Sequence, residues 1–209
     1  KVELYYSNPI SMKHFLLLIA VCFLCCNNSE VEPLAVKDYS SFHKEAASFC
    51  KENNYNESYY FLVDLSVHSG KNRFFIYDFA TKKVLDKNLV THGSCDQFEE
   101  NPDKWEKVKF DNRVDSHCSM KGKYKIGSRD YSSWGINVKY WLHGLESSNR
   151  NAEKRVVVLH SWNAVKNQEI YPRYSPLSWG CPAVSDAFME KLDKRLLQSE
   201  KSVLLWIIE

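Results

Sequence analysis

Cys181 and His160 are the residues whose types and spacing carry chemistry. The cysteine lies in Ser178-Trp179-Gly180-Cys181-Pro182, and the histidine closes the apolar run Val156-Val157-Val158-Leu159. A thiol becomes a good nucleophile as thiolate, and a neighbouring imidazole is the usual means of making it one. Gly180 lets the backbone pass close to a reacting carbonyl, and the N–H groups near Gly180 and Cys181 are candidates to face an oxyanion. The run before His160 reads as a buried strand that delivers its last side chain to a rim. Seventeen residues separate His160 from Ser178, a loop long enough to bring its two ends together. Singly, a cysteine is most often a small buried hydrophobe and a histidine an ordinary core or surface residue. Together, with Gly180 before the cysteine and a strand ending at the histidine, they define a candidate thiol acyl-transfer site.

A histidine, seventeen residues and then Ser-x-Gly-Cys resembles the signature of the L,D-transpeptidase (YkuD-like) catalytic domain. The resemblance is to the branch of murein L,D-transpeptidase catalytic domain proteins. It extends over Val63-Asp64-Leu65-Ser66-Val67-His68-Ser69-Gly70, Val90-Thr91-His92-Gly93, Tyr140-Trp141-Leu142-His143-Gly144-Leu145-Glu146, the segment Asn149 to Arg155, Val157-Val158-Leu159-His160 and Gly180-Cys181-Pro182-Ala183. It spans residues 38–209. What it implies is a secreted acyltransferase that cross-links or trims peptidoglycan stem peptides with a Cys–His pair, as a monomer, without metal or organic cofactor. On that reading His160 activates Cys181, the thiol attacks the amide carbonyl at the L-centre of a diamino acid, a D-amino acid leaves and a thioester remains. Better-known members carry His-Gly-Cys followed by an apolar residue and Arg. Here Trp179 stands in place of that histidine and Pro182-Ala183 in place of the arginine context, which removes an arginine able to read a substrate carboxylate.

Other residues compete for places in the site. Leu142-His143-Gly144 also resembles the catalytic histidine segment of better-known members, but His143 lies too far from Ser178 for the family spacing, which His160 fits. Ser178 is expected to hydrogen-bond within the active-site loop and Trp179 to wall the cleft. His143, His92, Arg173 and Tyr174 are candidates for the substrate cleft, and His92-Gly93 reads as a turn near it. A zinc reading would draw on His117, Cys118, His143, His160 and Cys181. The sequence has no H-E-x-x-H, and the residues past the leader have no C-x-x-C. A non-catalytic wall-binding module on the same fold is the other alternative.

The elements that must position these residues read as mostly β with peripheral helices, in keeping with the β-sandwich-like fold the resemblance implies. Ser40 to Asn53 places Phe42, Ala46, Phe49 and Cys50 at helical spacing. Tyr59 to His68 and Arg73 to Phe79 read as a β-hairpin across Ser69-Gly70-Lys71-Asn72, with Asp64, Ser66 and His68 on a wet face. Lys83 to His92, Lys123 to Ile126, Val138 to Leu142, Val156 to His160 and Val203 to Ile208 read as further strands. Ser185 caps a helix running to about Ser199. The polar segment 94–121 is a long loop of the kind that is functional or mobile.

The chain has 209 residues, 44% hydrophobic and 14% aromatic, with net charge +2. That suits one globular domain with a leader, and the absence of a basic stripe argues against nucleic-acid binding. Met12-Lys13-His14 followed by the apolar run Phe15 to Cys26 has the order of a secretory signal. Residues 1–30 are therefore expected to be an N-terminal extension and signal peptide, 31–37 a linker and 38–209 the catalytic domain, exported to the cell envelope. Cys22, Cys25 and Cys26 are candidates for lipidation and membrane anchoring, although none follows the usual Gly, Ala or Ser. In an oxidising compartment Cys95 and Cys118 are free to pair, a choice the sequence leaves open.

Overall fold

The computed structural model describes residues 37–209; the leader and its cysteines lie outside the described residues. Two helices and eight strands follow in the order α1 (Ser40–Glu52), β1 (Tyr59–Asp64), β2 (Phe74–Asp78), β3 (Lys83–Asn88), β4 (Gly122–Tyr131), β5 (Val138–Gly144), β6 (Val158–Ser161), β7 (Ala183–Val184), α2 (Asp186–Leu197) and β8 (Leu204–Ile208). The strands form one sheet in the order β3-β2-β1-β8-β4-β5-β6-β7. Pairing is antiparallel except between β1 and β8 and between β6 and β7. Past β3 the chain meets the opposite edge of the sheet: Thr91 N–H donates to Ala183 O at 2.9 Å, and Gly93 forms a bridge with Ser178. The sheet therefore nearly closes on itself, and the site lies on this seam.

Period-two alternation fills the inside. Phe61, Val63, Ile76, Tyr124, Tyr140, Leu142, Leu159, Leu205 and Ile207 point to one common core. Helix α2 adds Phe188, Met189 and Leu192 to that core, and Ser185 Oγ caps it by accepting from Phe188 N–H. Burying each such side chain contributes about 1.5–3 kcal/mol. Helix α1 packs Ala46 and Cys50 on the outer face, against Tyr60, Leu62, Tyr77, Leu204, Trp206 and Ile208.

That outer layer corrects one expectation. Of the expected wet face Asp64 is fully buried, because Tyr39 and α1 cover that part of the sheet, whereas Ser66, past the strand end, is exposed and His68 half-buried. Tyr39 Oη donates to Asp64 Oδ2 and Ser66 Oγ to Asp64 Oδ1, at 2.7 and 2.6 Å. The strand also stops at Asp64 rather than His68, and β3 at Asn88 rather than His92. Among the described residues no helix is long and apolar enough to cross a membrane.

Candidate active site

Strand β6 is buried along its length and places His160 opposite Lys139 of β5 on one side and Ala183 of β7 on the other. Leu159 points into the core, so alternation turns His160 to the other face, together with Trp162 beyond the strand end. His160, Trp162, Trp134, Leu177, Ser178, Trp179, Cys181 and Ala183 line one cleft of about 370 Å³. The sequence-predicted pair is thus brought to a single cavity from β6 and from the turn before β7.

The turn is held from several sides. Ser178 Oγ donates to Cys181 O at 2.8 Å and accepts from Gly180 N–H at 3.1 Å. Thr91 Oγ1 donates to the same Cys181 O at 2.9 Å and accepts from Ala183 N–H. Ser178 N–H donates to His92 O, and Ser94 N–H to Ser178 O. Gly180 has φ +107°, and a Cβ there would collide with Cys118 O. Only glycine suits both demands. Because Gly180 N–H is engaged by Ser178, it is not the open oxyanion donor that the sequence suggests. Cys181 N–H has no partner among the described residues.

The electrostatics differ from a thiolate–imidazolium pair. Burial lowers the His160 imidazole below its ordinary value; the Ser161 carbonyl opposes that shift and Lys139 adds to it. His160 Nδ1 is 2.9 Å from Ser161 O. A carbonyl can only accept, so Nδ1 carries the proton and Nε2 keeps a free lone pair. Burial likewise pushes the Cys181 thiol up, against smaller opposing effects of Val158 N–H, Arg155 and Lys139. The two groups therefore rest as neutral thiol and neutral imidazole. Sγ is 3.5 Å from Val158 N and 3.7 Å from Val156 O, and its hydrogen bonds run to these groups rather than to His160.

The remaining sequence candidates fall elsewhere. His92 is 1% exposed and lies behind the loop, not in the cleft. It accepts from Arg73 Nη2 through Nδ1 and donates from Nε2 to Lys104 O, both at 2.8 Å. Burial, reinforced by Arg73, lowers it to about 4, so it is a neutral brace. His143 sits in a different hollow with Lys125, Gly127 and Tyr140, and lies 3.2 Å from Glu153. Arg173 and Tyr174 are outside the cleft lining; Tyr174 stacks on His68 with ring centres 4.5 Å apart. Trp179 does wall the cleft, 74% exposed and stacked on His117 at 4.7 Å. Cys118 is joined to Cys95 in a disulfide, so the zinc constellation is dispersed among a disulfide, a ring stack and two separate hollows. Trp134, Trp162, Leu177 and Thr91 were not singled out from the sequence. The alternation beyond His160 could have found Trp162; nothing local marks Trp134, which arrives from the β4–β5 turn.

A thiol and a tautomer-fixed imidazole thus share one aromatic cleft on a mostly β domain. The chain belongs to the L,D-transpeptidase catalytic domain family, whose model matches residues 34–206. No curated protein matches the sequence. Among solved structures, Bd1075 of Bdellovibrio bacteriovorus is similar at 13% identity over 75% of this chain and 49% of that one, with a TM-score of 0.45. The Ldtfm-avibactam carbamoyl enzyme is similar at 13% over 74% and 50%, TM-score 0.42. An L,D-transpeptidase from Xylanimonas cellulosilytica is similar at 10% over 77% and 68%, TM-score 0.39. The chain spans about half the length of the first two.

Proposed function

We propose that this protein is a peptidoglycan L,D-transpeptidase that works through a Cys181 thioester with His160 as base. The observation that carries the reading is the His160 Nδ1–Ser161 O hydrogen bond, which leaves Nε2 as a base in the cleft that Cys181 also lines. Sγ leaves Val156 O for Nε2 as substrate enters, and the imidazole takes the thiol proton while sulfur attacks the stem-peptide amide carbonyl. The tetrahedral oxyanion faces Cys181 N–H, a donor of the kind typically worth about 3–4 kcal/mol. The His160 imidazolium then protonates the departing D-amino acid amine. A second stem's amine, or water, resolves the thioester; the former gives cross-links, the latter trimming. Ser161 O is the group that orients His160, and Thr91 and Ser178 are positioning residues for the cysteine. The Cys95–Cys118 disulfide supports an oxidising compartment such as the cell envelope. A lipid anchor at the leader cysteines stays an expectation outside the described residues.

Intact mass spectrometry after mixing the protein with disaccharide-tetrapeptide tests the reading. Wild type gains the mass of the substrate less its terminal D-amino acid, and Cys181→Ala gains nothing while keeping its fold. Adduct formation by Cys181→Ala, or none by wild type, rules the mechanism out. A wall-binding module would bind the muropeptide with no covalent adduct.

A further inference from the structure

The segment that leads into β6 carries a charge that the mechanism above does not use. Arg155 is half-buried, and its guanidinium donates from Nη1 to Asp111 O and from Nη2 to Cys118 O, both at 2.7 Å. Both acceptors are neutral carbonyls. Among the described residues no carboxylate is in ion-pair contact with it: Asp111 is paired with Arg113, and Asp111 and Asp115 act on the guanidinium only through longer-range attraction. Nη2 lies 3.0 Å from where a Cβ on Gly180 would stand, so the cation rests against the residue preceding the nucleophile. The next residue, Val156, has φ +55°. A β-branched side chain in the left-handed region is a strained conformation that surrounding structure must impose. This kink sends the Arg155 side chain toward the 94–121 loop and Val156 O toward Cys181 Sγ.

We propose that Arg155 is a positioning residue that presents a positive charge, held by neutral carbonyls, to the Cys181 sulfur as that sulfur becomes negative. Of the other groups near the sulfur, Lys139 adds a smaller positive influence and is itself partly neutralised. His160 and Tyr124 are neutral, the latter with its hydroxyl donated to Met120 O. Lys139 is paired with Asp130 at 3.3 Å. His117 is stacked on Trp179, and Asp111 is engaged by Arg113. In a site partly closed to water, a nearby unpaired cation acts with far less screening than at the surface. The proposal deepens the reading of Cys181 as the reacting thiol and rests on it. The cation arrives from the segment before β6 rather than from the turn that carries Cys181.

The test is the pH profile of iodoacetamide alkylation at Cys181, read by peptide mass mapping in wild type, Arg155→Gln and Arg155→Lys. Below the midpoint the rate follows the thiolate fraction. Arg155→Gln is expected to alkylate roughly three- to tenfold more slowly at pH 8, with its midpoint moved up and its alkaline plateau unchanged. Arg155→Lys keeps the charge without the fork, and stays within about a factor of two of wild type. A folded Arg155→Gln with the wild-type midpoint overturns the proposal and leaves Arg155 a mere brace for Asp111 and Cys118. If Arg155→Gln does not fold, Arg155→Lys decides: a raised midpoint in that folded variant overturns it equally. Alkylation needs no muropeptide. Loss of the thioester adduct in wild type would therefore sink the functional reading, whereas an unmoved midpoint sinks only the role of Arg155.

Discussion

Substituting Gly180 by alanine tests whether the nucleophile turn is fixed by its surroundings. Two costs add. A non-glycine residue at φ +107° carries backbone strain of about 1–3 kcal/mol. The new Cβ also falls inside van der Waals contact of Cys118 O, a backbone atom. That oxygen is poorly able to retreat, because it accepts from Arg155 and its residue is tied to Cys95 by the disulfide. Alanine's smaller unfolded-state entropy returns only about 0.4–1 kcal/mol. We expect Gly180→Ala to lose about 2–4 kcal/mol in urea unfolding. The surviving folded protein must shift the turn by roughly 1 Å to restore contact distance, a misplacement able to cost about 10²-fold in rate. The assay pairs the urea midpoint with the rate of thioester formation. Gly122→Ala is the comparison: it also has positive φ, +125°, but its Cβ meets the side-chain ends of Glu146, Asn149 and Ser148. It should lose stability while forming adduct at nearly the wild-type rate. Gly180→Ala with wild-type stability and adduct rate would refute the reasoning, as would equal loss of rate in both variants.

Three further outcomes follow from the same geometry. His160→Ala should slow thioester formation by about 10²- to 10⁴-fold while His143→Ala, whose ring lies in another hollow, stays within a factor of two; the reverse ranking overturns the assignment. Cys95→Ser/Cys118→Ser should lower the unfolding free energy by about 2–4 kcal/mol, and a reductant should bring wild type to the same midpoint. Stability should fall as pH drops from about 6.5 toward 4, because buried neutral His92 and His160 both have folded values below their unfolded ones and must take up protons on unfolding. A flat unfolding free energy across that window would remove His92 as a neutral brace.

Where a short segment alone decided its structure, the sequence was sufficient. The spacing of Phe42, Ala46, Phe49 and Cys50 marked α1, Ser185 the cap of α2, and the apolar run before His160 the start of β6, although the strand begins at Val158 and Val156 is exposed in a left-handed kink rather than buried in it. What misled was the outer face of β1. Alternation marks Asp64 as wet, yet α1 covers the sheet there and Asp64 is satisfied by Tyr39 and its own turn; Ser66, past the strand end, is exposed as expected. A local pattern reports polarity, not coverage. The closure of the sheet was equally illegible. It depends on Thr91 meeting Ala183, residues far apart in sequence, and neither announces its partner.

The site shows the same division at finer grain. Spacing selected Cys181 and His160 over His143, and the cleft contains the first two and not the third. Protonation state was beyond it. The expectation of a thiolate rests on an imidazolium beside the sulfur, and imidazolium is what burial on β6 disfavours. The same burial that positions the pair disfavours the charge each would lend the other, and in the proposed mechanism proton transfer accompanies the attack. In such a site the charges that persist matter most. Arg155 is fixed through carbonyl contacts whose partners, Asp111 and Cys118, no motif could have connected to the nucleophile.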